Sequence, residues 1–109
     1  MRTIRFRIFN KKIKSYIDIH SSAIMIDELN NLNDNLIVEQ FTGLHDKNGK
    51  EIYEGEILFN NDRKEHCIVK YSQEKAMFIV KYLESNDEFP LWQSISNLYY
   101  SVGNIYEHR

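Results

Sequence analysis

Three of the chain's four glycines, Gly43, Gly49 and Gly55, fall within one twenty-residue stretch, QFTGLHDKNGKEIYEGEILF, running from Gln40 to Phe59. Glycine takes positive φ angles without steric cost, so such clustering marks places where extended chain must bend or reverse. Gly43 and Gly49 flank LHDKN, which reads as a loop between two strands, with Asn48-Gly49 supplying the tight reversal. Gly55 then lets the chain bend into EILF, and Leu44, Ile52, Tyr53, Ile57 and Phe59 are the apolar anchors that seat the loop. A phosphate cradle would need lysine followed by serine or threonine after the second glycine, and neither follows.

Strand periodicity dominates elsewhere. Ile4, Phe6 and Ile8 share one face of an N-terminal strand, with Arg5, Arg7 and Phe9 on the other. After NKK the alternation resumes, with Ile13, Ser15, Ile17 and Ile19 opposite Lys14, Tyr16 and Asp18, so the start reads as a β-hairpin. SSAIMIDELNNLND changes period. Ser21 or Ser22 can cap, and Met25, Leu29 and Leu32 recur at helical spacing, giving a short helix or a loop with one helical turn. NLIVEQF returns to strand, and HCIVKYS and AMFIVKYLE, split by QEK, predict a hairpin over residues 66–83. Pro90 fits the first turn of another short helix carrying Leu91, Ile95 and Leu98. YYSVGNIYEH closes the chain as a strand, with Gly103 at a bulge or close backbone approach. The fold class expected is mostly β with one or two short helices.

A length of 109 residues fits a single domain, and 42% hydrophobic with 13% aromatic residues is enough for a core and too much for a disordered chain. Fourteen basic residues against sixteen acidic give a net charge of -2, so any attraction to nucleic acid has to be local. The lone cysteine, Cys67, excludes an intrachain disulfide and fits a reducing, cytoplasmic compartment. MRTIRFRIFN lacks the apolar run of a signal peptide, and no stretch approaches the roughly 18 apolar residues of a membrane span.

Three segments give the chain a family likeness: IRFRIFNKK at the start, QFTGLHDKNGKEIYEGEILF in the centre and VGNIYEHR at the end. Together they resemble the YopX family of small phage and prophage proteins. Phe9 and Asn10 stand where that family usually has an aromatic and an acid, and Glu56 stands where it usually has aspartate. The likeness does not extend to residues 20–35 and 84–98. It implies an N-terminal β-hairpin with a short helix over residues 1–40, followed by a small Src-homology-three-like barrel over 41–109, EILF being the first barrel strand. It transfers no catalytic residue.

The chemistry-bearing residues are weighed next. His66 and Cys67 are adjacent in a strand and point to opposite faces, while His20, His45 and His108 show no ligand spacing, so no metal and no cofactor is expected. Cys67 reads as a small buried hydrophobe. Asp46, Glu51, Glu54 and Glu56 read as a solvated, charged turn rather than paired catalytic carboxylates, and no nucleophile motif is present, so no enzyme activity is expected.

Two surfaces remain. Six of the fourteen basic residues precede the first acid, Asp18, and the alternation gathers Arg5, Arg7, Lys14 and Tyr16 on one face. Cations beside an aromatic suit a phosphate backbone and a stacked base, or else guard an edge strand against aggregation. In the C-terminal half, Phe89, Trp92, Tyr99 and Tyr100 are more aromatics than a small barrel need bury, which suits a protein interface. The first expectation is therefore a non-enzymatic phage- or prophage-encoded module that binds a host or phage protein, as an inhibitor of a host defence nuclease or a regulator of a host protein. The second is a nucleic-acid-binding accessory protein using the basic hairpin. The third is a homo-oligomer formed through the exposed N-terminal strand.

Overall fold

The computed structural model describes residues 4–17 and 35–106. The helix or helical turn expected between Ser21 and Leu32 lies outside the described residues. The rest is mostly β, in two antiparallel sheets. The first joins β1 (Phe6–Asn10), β2 (Ser15–Ile17), β3 (Leu36–His45) and β4 (Glu51–Tyr53) in the order β2-β1-β3-β4. The second joins β5 (Glu56–Asn60), β6 (Glu65–Ser72), β7 (Met77–Tyr82), β8 (Glu88–Pro90) and β9 (Tyr100–Asn104) in the order β8-β7-β6-β5-β9, curled into a half-barrel. One short helix, α1 (Gln93–Leu98), lies between β8 and β9.

The chain changes sheet at Glu54-Gly55, just before β5. Gly55 holds φ at +83°, its amide donates to Val69 O at 2.8 Å, and its carbonyl accepts from Ile105 N at 3.0 Å. The bend is thus bonded on both sides to the half-barrel. Gly43 does not border a loop as expected. It lies inside β3 at φ +89°, where the register with β4 shifts between Phe41 and His45, so it makes a bulge. The turn itself is Asp46 to Lys50, with Gly49 at φ +83°. Asp46 organises it: Oδ1 accepts from Asn48 N and Lys50 N, and Oδ2 accepts from Ser101 N at the start of β9.

The main core knots both sheets together. Ile52 of β4 packs with Leu58, Cys67, Val69, Val80 and Tyr99, with Leu44, Leu91 and Ile95 laid against them. Fully burying one such aliphatic side chain contributes about 1.5–3 kcal/mol, against about 0–1 kcal/mol for a surface ion pair. The knot, not the surface charge, holds the half-barrel closed. The β6-β7 hairpin falls where the alternation places it. Pro90 does not open the helix as expected. It ends the edge strand β8 opposite Ile79, where a missing N–H costs the sheet nothing. The helix starts at Gln93, and Leu98 faces solvent. Gly103, at φ +134°, sits where the β5-β9 register shifts, as a bulge requires.

Candidate functional site

The alternation in β1 is real, yet Arg7 on its basic face looks inward. Arg7 lies directly opposite Glu39 of β3, and its Nε donates to Glu39 Oε1 at 2.7 Å. Its Nη1 lies 3.0 Å from Oε1 of Glu56, the first residue of β5 in the other sheet. The guanidinium is held between two rings, 4.3 Å from the centroids of both Tyr16 and Tyr53. Tyr16 OH donates to Glu39 Oε1 at 3.1 Å and accepts from Asn104 Nδ2 at 2.7 Å. Five strands of the two sheets and the end of β9 therefore meet at one cation.

The electrostatics of this joint are unbalanced. Glu39 and Glu56 are each 1% exposed; among the described residues Glu39 Oε2 accepts no hydrogen bond, while Glu56 faces Arg7 and Ser101 with the charge of Lys50 nearby. Burial raises both carboxyls above the ordinary range, and the charge of Arg7 opposes that without reversing it. Two buried acids facing one guanidinium favour keeping a proton rather than an uncompensated charge. Gly55 is needed here for a second reason: a Cβ on it would stand 2.4 Å from Glu39 Oε2.

Arg7 is therefore engaged inside the molecule, and Tyr16, though 37% exposed, lies under Arg7 and is bonded through its hydroxyl to Glu39 and Asn104, so neither stands on a free basic face as expected. Arg5 pairs with Glu51 and stacks over Phe41. Lys14, at φ +54° in the β1-β2 turn, is exposed and apart from them. The acids expected to form a solvated turn are likewise structural: Asp46 and Glu56 are buried, and Glu54 Oε1 accepts from Gln40 N. Among the described residues no histidine, cysteine and acid cluster could hold a metal ion. Cys67 is buried, and burial, with Glu65 and Glu84 nearby, pushes its thiol up to about 12. A thiol held there stays protonated at neutral pH and is a poor nucleophile.

The C-terminal aromatics are divided by the sheet. A tight loop after β7, closed by Asn86 N to Tyr82 O and Tyr82 N to Asp87 O, both at 2.9 Å, leads into β8 and sets Asp87 and Phe89 on its rim. Trp92 follows in extended conformation, at the cap of α1. Phe89 is 49% and Trp92 62% exposed, and together they wall a groove of about 450 Å³. Its floor is Tyr82, edge-on to Phe89 at 5.7 Å, and its rim carries Glu65, Asp87 and Arg63. Tyr99, the extended C-cap residue of α1 just before β9, is core, 3% exposed. Its hydroxyl meets Tyr82 OH at 2.9 Å and donates to Glu65 Oε2 at 3.1 Å, so it supports the groove from behind. Tyr100 points to the opposite face, edge-on to Phe59, in a shallow hollow with Ile57, His66, Leu83 and Val102. Of the four expected interface residues, only Phe89 and Trp92 come together at the surface.

Glu39 and Glu65 were the residues sequence reasoning passed over. Glu39 had a signal: it is the lone acid in the apolar run LIVEQF, and an acid at such a position calls for a buried cation.

Among the described residues no helix is long and apolar enough to cross a membrane. No curated protein matches this sequence. The crystal structure of protein EF1440 from Enterococcus faecalis is similar in fold, with a TM-score of 0.66 at 21% identity, covering 98% of this chain and 96% of that one. The family model for YopX protein matches residues 5–108. With nearly its whole length accounted for, the chain belongs to the YopX protein family.

Proposed function

We propose that the chain is a phage- or prophage-encoded, non-enzymatic module that binds a host or phage protein through the Phe89–Trp92 groove, and that it inhibits a host defence nuclease or regulates another host protein. The observation that carries this reading is the pair of rings left half or more in solvent beside a concave surface, Trp92 at 62% exposure and Phe89 at 49%. Exposed aromatics of this kind supply much interface area at low entropic cost and dominate binding energies. The non-enzymatic part is supported by the state of the reactive groups: Cys67 is buried, and Glu39 and Glu56 are paired with Arg7. Affinity capture from host lysate, with Trp92→Ala as control, tests it. A specific partner lost in the variant is the expected result, and equal recovery by both proteins contradicts it.

A nucleic-acid role for the basic hairpin has less support, because Arg5, Arg7 and Tyr16 are paired within the molecule. Lys12 and Lys14 are the exposed cations that remain there. A gel shift at low salt with Lys12→Glu/Lys14→Glu decides it without disturbing the joint, since phosphate binding depends on such cations and falls with salt.

A further inference from the structure

We propose that the groove between Phe89 and Trp92 receives an arginine side chain carried on an extended segment of the partner protein. This rests on the reading of the chain as a protein-binding module and names what that module recognises. Arg7 shows how this fold seats a guanidinium: two aromatic rings 4.3 Å from its centre and two carboxylates at its edges. The groove is lined by the same kinds of group, two exposed aromatic residues and the carboxylates of Glu65 and Asp87. Trp92 stacks on no ring and under no cation among the described residues.

Charge at the rim points the same way. Glu65 and Asp87 line the groove. Among the described residues the one cation lining it, Arg63, is 70% exposed and 3.8 Å from Glu65 Oε2, a loose pair of little energetic weight. Glu65 thus already attracts a guanidinium that an incoming one can displace. Arginine is favoured over lysine because its planar group stacks on a ring while meeting carboxylates edge-on.

Trp92 is the chain's one tryptophan, so its emission reports groove occupancy directly. The probe is a blocked hexapeptide of alternating alanine and arginine, titrated beside the same peptide with lysine and with citrulline. The expected result is a saturable emission change with the arginine peptide, weaker binding of the lysine peptide and none of the citrulline peptide. Glu65→Gln/Asp87→Asn should weaken binding about fivefold or more, and Arg63→Ala should tighten it about twofold by removing the internal competitor. Glutamine at 65 still accepts from Tyr99 OH, and Asp87→Asn alone, at an exposed site, serves if the double variant melts early. No saturable change, equal binding of the citrulline peptide, or indifference to both acid substitutions overturns the proposal. A captured partner lost with Trp92→Ala but retained by the acid variants would leave the binding-module reading standing and remove the arginine.

Discussion

At the joint between the sheets, Arg7 lies between Tyr16 and Tyr53 with its charge facing Glu39 and Glu56. At the groove, Phe89 and Trp92 stand beside Glu65 and Asp87 with only Arg63 at the edge. The ingredients are alike, and the difference is occupancy. Where a cation of the chain itself fills the space, the residues fix the angle between two sheets and have nothing left for a ligand. Where none does, the same chemistry faces water. Residue type therefore says what a surface could recognise, and pairing within the fold says whether it is available to do so.

The contrast breaks most readily at its cation. Arg7→Met removes the partner of two buried acids, and losses of about 3–5 kcal/mol are usual for such half-broken pairs. The loss should be larger at pH 8 than at pH 5, because lower pH favours the uncharged form of the stranded carboxyls, which burial already raises. Urea unfolding at both values measures it, and a loss below about 1 kcal/mol would mean that the joint is not what holds the sheets.

Gly55→Ala comes next. The new Cβ would meet Glu39 Oε2 at 2.4 Å, and alanine would have to adopt φ +83°. Glu39 cannot swing aside cheaply while Arg7 and Tyr16 hold its other oxygen. A cost of about 1–3 kcal/mol is expected in the same assay. Gly43→Ala, strained by its φ but with open space around its Cβ, should cost less.

The third effect is a slope. Folding raises the Glu39 and Glu56 carboxyls above their ordinary value of 4.5, so the folded chain binds these protons more tightly than the unfolded chain. Their contribution is fully present below that value and is lost as pH rises through the raised folded values. Glu56→Gln removes one such group. Its stability should fall less steeply with rising pH than that of the wild type, by up to about 1.4 kcal/mol per pH unit where the group titrates. Parallel curves would contradict the assignment. The smallest effect belongs to the groove: Trp92→Ala should change stability by about 0.5 kcal/mol or less, as for exposed sites without structural duties. A larger loss would make Trp92 a packing residue.

Much of this architecture was legible before any coordinates. The hairpin of β6 and β7 follows from two β-rich runs with a short polar break, and Gly55 marks the change of sheet because nothing else tolerates that bend. The direction of β1 was not legible. Both of its faces carry apolar residues, Ile8 on one and Phe9 on the other, and both of these are buried. Alternation separates the faces without saying which one meets the second sheet. That depends on Arg7 standing opposite Glu39 and on Glu56 arriving from a different sheet, two long-range facts with no local trace. Pro90 misleads for a related reason, since an edge strand and a first helical turn both suit a residue without an N–H. At the candidate site, the structure exposes Phe89 and Trp92 and buries Tyr99. Aromatic surplus alone does not separate them, because one step along extended chain, as from Tyr99 to Tyr100, reverses which face a ring occupies.

The account turns on Arg7 being enclosed while Arg63 is open, and the two side-chain Nε–H groups can be compared in a single experiment. Nitrogen-15 NMR at neutral pH follows the exchange of each with solvent. Arg7 Nε–H, bonded to a buried carboxylate, should exchange markedly more slowly than Arg63 Nε–H and should speed up in Glu39→Gln. Equal, fast exchange of the two would place Arg7 at the surface and contradict the account.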